Sequence, residues 1–146
     1  MVELGDRVAV VTGGGRGIGA ATCRRLAEAG ARVVVAEIDV VSGQEVADEL
    51  PGAMFIETDV TCQESVQAMV SLAVERLGRI DILVNNAAVF VMRGIDASDD
   101  EWRRSLDVNV LGAARVARAV VPVMQAAGRG AIVNLGSISS FLAQPS

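Results

Sequence analysis

The sequence predicts an α/β protein: an open, doubly wound parallel sheet of five strands in the order 3-2-1-4-5, with helices on both faces. Three observations carry that expectation. Short β-branched runs alternate along the chain with stretches of helical periodicity, a rhythm that gives parallel strands joined by right-handed crossovers. The first apolar run, Val8-Ala9-Val10-Val11, leads directly into Thr12-Gly13-Gly14-Gly15-Arg16-Gly17-Ile18-Gly19 and from there into a helix-like stretch. The 146 residues, 51% hydrophobic but only 3% aromatic, make one domain with enough Val, Ala, Ile and Leu for an aliphatic core.

Each element follows from local chemistry. After the first strand, the glycine turn opens a helix over Ala20 to Gly30. Arg32 to Glu37 is short, β-branched and bounded by Gly30 and Asp39, which reads as a second strand. Ser42 to Leu50 is helical until Pro51-Gly52 stops it, and Ala53 to Thr58 is a third strand ending at Asp59-Val60. Thr61 or Cys62 opens a helix to Leu77. Val66, Met69, Val70, Ala73, Val74 and Leu77 share one of its faces, and Gly78 ends it. Asp81 to Asn85 is a fourth strand. Ser98-Asp99-Asp100-Glu101 matches a capping box before a long helix that bends near Arg104 and runs to about Ala127. Gly128 to Gly130 turns the chain into a fifth strand, Ala131 to Leu135.

Composition excludes much chemistry. There is no histidine and no tyrosine, and all 13 basic residues are arginine, so His-based metal sites, Ser-His-Asp triads and a Walker A lysine are absent. A formal charge of −5 without a basic run argues against nucleic acid or an anionic membrane as partner. No apolar stretch approaches the ~20 residues of a membrane span, and Met1 to Asp6 resembles no signal leader, so the expected location is cytoplasmic. Cys23 and Cys62 fall in different helical regions outside any C-x-x-C pattern and read as free packing residues.

The glycine turn is the feature that points to a ligand. Backbone N–H groups must approach a phosphate closely there, which a side chain would block, while the helix directs its partial positive end at the same anion. Gly15, Gly17 and Ala20 satisfy G-x-G-x-x-A; Thr12, Gly13, Gly17 and Gly19 satisfy T-G-x-x-x-G-x-G. Glu37 follows Gly19 by 18 residues, where a carboxylate can accept both hydroxyls of an adenosine ribose. That arrangement favours NAD. NADP is the weaker option, because its 2′-phosphate would meet Glu37 as a like charge that Arg16 only partly offsets. Asp59-Val60 ends the third strand where a carboxylate can accept from adenine, although an ordinary polar strand end explains it nearly as well. Asn85-Asn86-Ala87-Ala88 places two amides before small residues, able to tie strand ends together while leaving room for a flat ligand.

Together these residues resemble the short-chain dehydrogenase/reductase family, and the resemblance covers the chain from the glycine loop onward. Thr12-Gly13 to Gly19 looks like the family's T-G-x-x-x-G-x-G loop, Asp59 like its adenine aspartate, and Asn85-Asn86-Ala87 like its N-N-A-G segment, with Ala88 in place of the usual glycine. The resemblance implies a Rossmann-like fold and hydride transfer between NAD(P) and an alcohol or carbonyl substrate. It further implies that Asn109 on the long helix holds a water of the proton relay and that Ser137, three residues after Asn134, orients the reacting oxygen. Ser139 and Ser140 lie nearby, Ser139 as a candidate pocket residue. The family also uses a tyrosine about thirteen residues after that serine and a lysine four further on, and neither occurs here. The expectation is therefore the N-terminal portion of such an enzyme, inactive alone. The alternative is a non-catalytic dinucleotide-binding module or one half of a split enzyme.

The helix from Arg104 to Ala127 carries Leu106, Val110, Ala113, Ala114, Ala117, Val120, Val121 and Met124, more apolar surface than one sheet face covers. By the same resemblance it pairs with its copy in a homo-oligomer, a dimer or tetramer. The particular substrate is not readable from these residues.

Overall fold

A computed structural model of the chain describes residues 3–138. Along it run β1 (Val8–Thr12), α1 (Gly17–Glu28), β2 (Arg32–Glu37), α2 (Val40–Glu49), β3 (Met54–Glu57), α3 (Gln63–Leu77) and β4 (Ile82–Asn85). There follow a single 3₁₀ turn (Gly94–Asp96), α4 (Asp99–Leu106), a π-helical segment (Asp107–Gly112), α5 (Ala113–Ala126) and β5 (Ala131–Asn134). All strand pairs are parallel in the order β3-β2-β1-β4-β5, with Val10 registered against Val34 on one side and Leu83 on the other.

The β-branched runs of β1 and β2 are buried on both faces, as a parallel sheet between helices requires. Val8, Val10, Val34 and Leu83 pack with Val66, Met69 and Val70 of α3 and Val116, Val120 and Met124 of α5. On the other face Val11, Val33 and Val35 meet Ala20 and Cys23 of α1 and Val46 and Ala47 of α2. The reversal of strand order falls between β1 and β4, so the crevice lies at the carboxyl ends of those strands, flanked by Thr12 and Asn85.

At the opposite rim Asp81 pins the strand starts. Its carboxylate accepts from the Val8 amide at 3.0 Å, from Arg79 at 2.6 and 2.8 Å and from Arg7 at 3.2 Å, with Arg129 3.3 Å away. Burial pushes the Asp81 carboxyl up, but these hydrogen bonds and the Arg79 charge outweigh it and hold the group below its ordinary range.

Several sequence boundaries are corrected. The first helix starts at Gly17 rather than Ala20, and the second at Val40 rather than Ser42, because Asp39 caps it by accepting from the amides of Val41 and Ser42. The long helix is interrupted at Asp107–Gly112, three residues beyond the expected bend, and the interruption is a π turn. Its capping box is present in both directions between Ser98 and Glu101. Cys62 is not a packing residue: it is half-buried at the N-cap of α3, its Sγ 3.3 Å from Glu64 Oε2. Cys23 is fully buried, and burial pushes its thiol up to about 12. Ser139 and Ser140 lie outside the described residues. No described helix is long and apolar enough to cross a membrane.

Candidate dinucleotide site

Thr12, the last residue of β1, joins the two sides of the crevice. Its Oγ1 accepts from the amides of Asn86 (3.0 Å) and Ala87 (3.1 Å) and donates to Val84 O at 3.4 Å. Asn86 returns the tie through Nδ2, which donates to the carbonyls of Thr12 and Gly13 at 2.9 and 3.0 Å. This crossing is tight. A Cβ on Gly19 would stand 2.0 Å from Gly13 O and 2.5 Å from Asn86 Nδ2, so α1 can start here only as glycine.

The start of α1 is open. Its N-cap, Arg16, makes no side-chain capping bond and the first turn carries no acidic residue, so no side chain of the helix answers its first N–H donors. Gly17 has φ +53°, and a Cβ there would meet nothing within 4 Å. Ile18 is exposed beside it. An unanswered helix N-terminus behind an open glycine turn fits a pyrophosphate.

The adenosine side is built around Glu37. Only 5% exposed, its carboxylate accepts from Gly15 N at 3.1 Å through Oε2 and from the amides of Ile38 and Asp39 at 2.8 and 3.2 Å through Oε1. Oε2 keeps lone-pair capacity for a further donor. Two residues that the sequence does not point to as part of a site complete this corner, Asp39 reading there only as a strand boundary. Asp39 lies 3.8 Å from Arg16 as well as capping α2. Gly43 lets α2 close over Glu37, since a Cβ there would stand 2.4 Å from the Phe55 ring. Asp-Val-Val-Ser was a legible N-cap signal; the Gly43 contact had none. Asp59 turns its Oδ1 to Thr61, accepting from N at 2.8 Å and Oγ1 at 2.7 Å, while Val60 is buried beneath it.

Across the crevice, Asn85 Nδ2 donates to Asn134 Oδ1 at 2.8 Å and to Ala113 O at 3.3 Å, tying β4 to β5 and to α5. Ala88 is exposed beyond it. Asn109 sits within the π segment and grips Val89: its Oδ1 accepts from Val89 N at 2.8 Å, and its Nδ2 donates to Val89 O at 2.9 Å and to Ser105 Oγ at 3.3 Å. Ser137 is exposed two residues past Leu135, whose amide extends the sheet by donating to Asn85 O at 3.0 Å. The structure thus brings the glycine loop, Glu37 and Asn86 into one connected corner, with Asn109 bound to Val89 in the segment after β4 and Ser137 in the segment after β5.

A doubly wound parallel sheet with an open glycine turn at its switch point is the architecture of the dinucleotide-binding class of folds. The sequence model for the short chain dehydrogenase family matches residues 7–146, and the chain belongs to that family, whose members bind nicotinamide cofactors. It is 37% identical to trans-4-hydroxycyclohexanecarboxylate dehydrogenase of Sinomonas cyclohexanicum, with 96% of this chain and 58% of the relative covered. It is likewise 37% identical to L-fucose dehydrogenase of Bos taurus, covering 94% of this chain and 52% of that one. A solved structure of 7α-hydroxysteroid dehydrogenase complexed with NADH and 7-oxo glycochenodeoxycholic acid superposes with a TM-score of 0.93 at 31% identity, over 98% of this chain and 58% of that one. The chain therefore spans about half the length of the curated relatives it matches.

Proposed function

We propose that this chain forms the cofactor-binding part of an NAD-dependent oxidoreductase that interconverts an alcohol and a carbonyl compound. The observation that carries this reading is the buried Glu37 carboxylate bound to the glycine loop through Gly15 N, beside an α1 N-terminus with no capping side chain. Its remaining capacity suits ribose hydroxyls as donors. A 2′-phosphate would instead meet two carboxylates, Glu37 and Asp39, with Arg16 already paired to the second. Like charges about 5 Å apart repel by about 1–3 kcal/mol between aqueous and surface dielectrics. NADH is accordingly expected to bind at least about 10-fold more tightly than NADPH in calorimetric titration. Equal affinity, or a preference for NADPH, rejects the assignment.

When bound, the nicotinamide supplies or accepts the hydride. Ser137 is proposed to donate a hydrogen bond to the reacting oxygen. Asn109, whose Oδ1 keeps a second lone pair after accepting from Val89 N, is proposed to hold a relay water. Asp59 and Val60 are proposed to receive the adenine, Thr12, Asn85, Asn86, Ala87 and Ala88 to shape the floor and wall of the crevice, and Gly13 to Gly19 to cradle the phosphates. The 146 residues contain no tyrosine and no lysine, so by themselves they are expected to bind NADH without turning over alcohols. The relatives are named for hydroxyl-bearing compounds, which supports a small-molecule alcohol or carbonyl as the substrate class. Of the apolar residues expected on an oligomer face of the Arg104 to Ala127 helix, Val120 and Met124 are buried against the sheet instead; Leu106 and Val110, together with Trp102 and Leu111, are exposed on α4 and the π segment and are proposed to pair with their copy in a homo-oligomer.

A further inference from the structure

We propose that Arg115 is a positioning residue that couples ligand occupancy at the Asp59-Val60 end of the crevice to the π-helical turn carrying Asn109. Four contacts build the joint between the two places. Arg115 Nη2 binds Asp107 Oδ1 at 2.7 Å, and its Nη1 donates to Val60 O at 3.3 Å. Gly112, the last residue of the π segment, packs so closely on Val60 that a Cβ would stand 2.8 Å from Val60 Cγ2. One turn beyond Arg115, Arg118 Nη2 donates to Gln63 Oε1 at 3.0 Å. The segment that follows β3 and the segment that carries Asn109 therefore share one mechanical joint, with Arg115 at its centre.

The π turn supplies two discrete states. An α-helix spends about one residue fewer on each turn, so relaxation of Asp107–Gly112 toward α geometry would turn the end of the segment by about 100° relative to the helix start, and Asn109, its third residue, by roughly a third to a half of that. Asn109 would then release both hydrogen bonds to Val89. Asp107 opens the π segment and Arg115 lies one turn past its end. Eight residues of regular α-helix separate two positions by about 12 Å along the axis, and the wider π turn shortens that span. The Asp107–Arg115 ion pair, with the arginine largely shielded from solvent, thus favours the π register. Adenine held by Asp59 would fix the turn in which Val60 presents its carbonyl, and Arg115 would transmit that order to Asp107.

This inference rests on the dinucleotide reading, and ADP-ribose separates the two because it contains the adenosine diphosphate but lacks the nicotinamide. The measurement is amide hydrogen exchange across Asp107–Gly112 in the whole chain, with and without ADP-ribose, alongside calorimetric affinity and thermal midpoint. ADP-ribose is expected to slow exchange there by about fivefold in the unsubstituted chain. Arg115→Ala should still bind ADP-ribose through the glycine loop and Glu37 yet lose most of that slowing, and Arg115→Lys should retain part of it. A purely structural arginine would raise exchange equally in both ligand states, and slowing that survives Arg115→Ala overturns the proposal. Tight binding without slowing in the unsubstituted chain overturns the coupling alone, whereas no binding overturns the dinucleotide reading with it. Should Arg115→Ala fail to fold, Asp107→Asn tests the same joint by removing the charge that holds the guanidinium, and unchanged slowing in that variant refutes the coupling.

Discussion

β2 and β5 are written in the same alphabet and live in different surroundings. Val33, Val34 and Val35 of β2 are completely buried, with α1 and α2 against one face of the sheet and α3 and α5 against the other. Ile132 and Val133 of β5 are 36% and 50% exposed, and every residue of that strand is open to solvent among the described residues. Both strands are parallel and fully registered with a neighbour. Backbone pairing therefore sets the position of a strand at the sheet edge, whereas burial depends on what covers its faces. The adenosine side of the crevice stands on the filled half of the sheet, and Ser137 follows the bare edge.

The sharpest way to break the filled half is at the crossing of loop and strand. Gly19→Ala would drive a methyl into Gly13 O and Asn86 Nδ2. It is expected to cost about 3 kcal/mol, as overpacking at an unyielding backbone contact does, and to weaken NADH binding by about 100-fold through displacement of the helix N-terminus. A denaturant midpoint and a fluorescence titration report the two effects separately. Unaltered binding would show that the loop yields where the packing says it cannot.

Asp81 is the anchor at the far rim and serves both halves, because it pins Val8 of β1 and draws Arg129 from the turn before β5. Asp81→Asn leaves three arginines around a neutral amide and is expected to cost about 2–3 kcal/mol. Its folded-state pKa is depressed relative to the unfolded chain, so the stabilisation is complete above about pH 4 and disappears as pH falls through the lower, folded-state value. Unfolding free energies measured from pH 6 downward should therefore drop more steeply in the native chain than in Asp81→Asn. Parallel profiles would remove Asp81 from the acid response.

A matched pair tests the contrast between the strands directly. Val34→Ala in β2 is expected to cost about 2 kcal/mol, from lost transfer energy and an unfilled cavity. Val133→Ala in β5 should stay within about 0.5 kcal/mol, the range of ordinary surface substitutions. Equal costs would mean that β5 is covered in solution.

The sequence reading located every strand, the strand order and the glycine loop, because β-branched runs punctuated by glycine and proline carry that information locally. It missed what depends on distant contacts. The exposure of β5 is invisible in Ala131-Ile132-Val133, whose residues suit a buried strand equally well. The π turn has no signature in Asp107-Val108-Asn109, since it goes with an amide that binds Val89, twenty residues away in sequence. Arg115 carries no signal of its own in the sequence, because its contacts to Asp107 and Val60 arise only when the chain folds Val60 against the helix. The shift of the second helix to Val40 was legible in Asp39, but two β-branched valines after a strand obscured the cap.

The smallest effect concerns the two thiols, which sit on either side of the same contrast between covered and open structure. Cys23 lies under the glycine loop, fully buried with its Sγ 3.9 Å from Gly14 O, and burial holds its pKa near 12. Its thiolate is scarce at neutral pH, and the packed loop excludes a reagent of any size. Cys62 opens α3 at a half-buried position. Iodoacetamide at pH 8 should therefore alkylate Cys62 while Cys23 waits for unfolding, and mass spectrometry of a time course would show one adduct in the native chain and two in denaturant. Because the Cys23 side chain packs against Gly14, its protection also reports on the loop, and NADH should slow the second alkylation further by stabilising the folded state. Rapid native labelling of Cys23 would mean that the glycine loop opens readily and that the filled half of the sheet is looser than its packing implies.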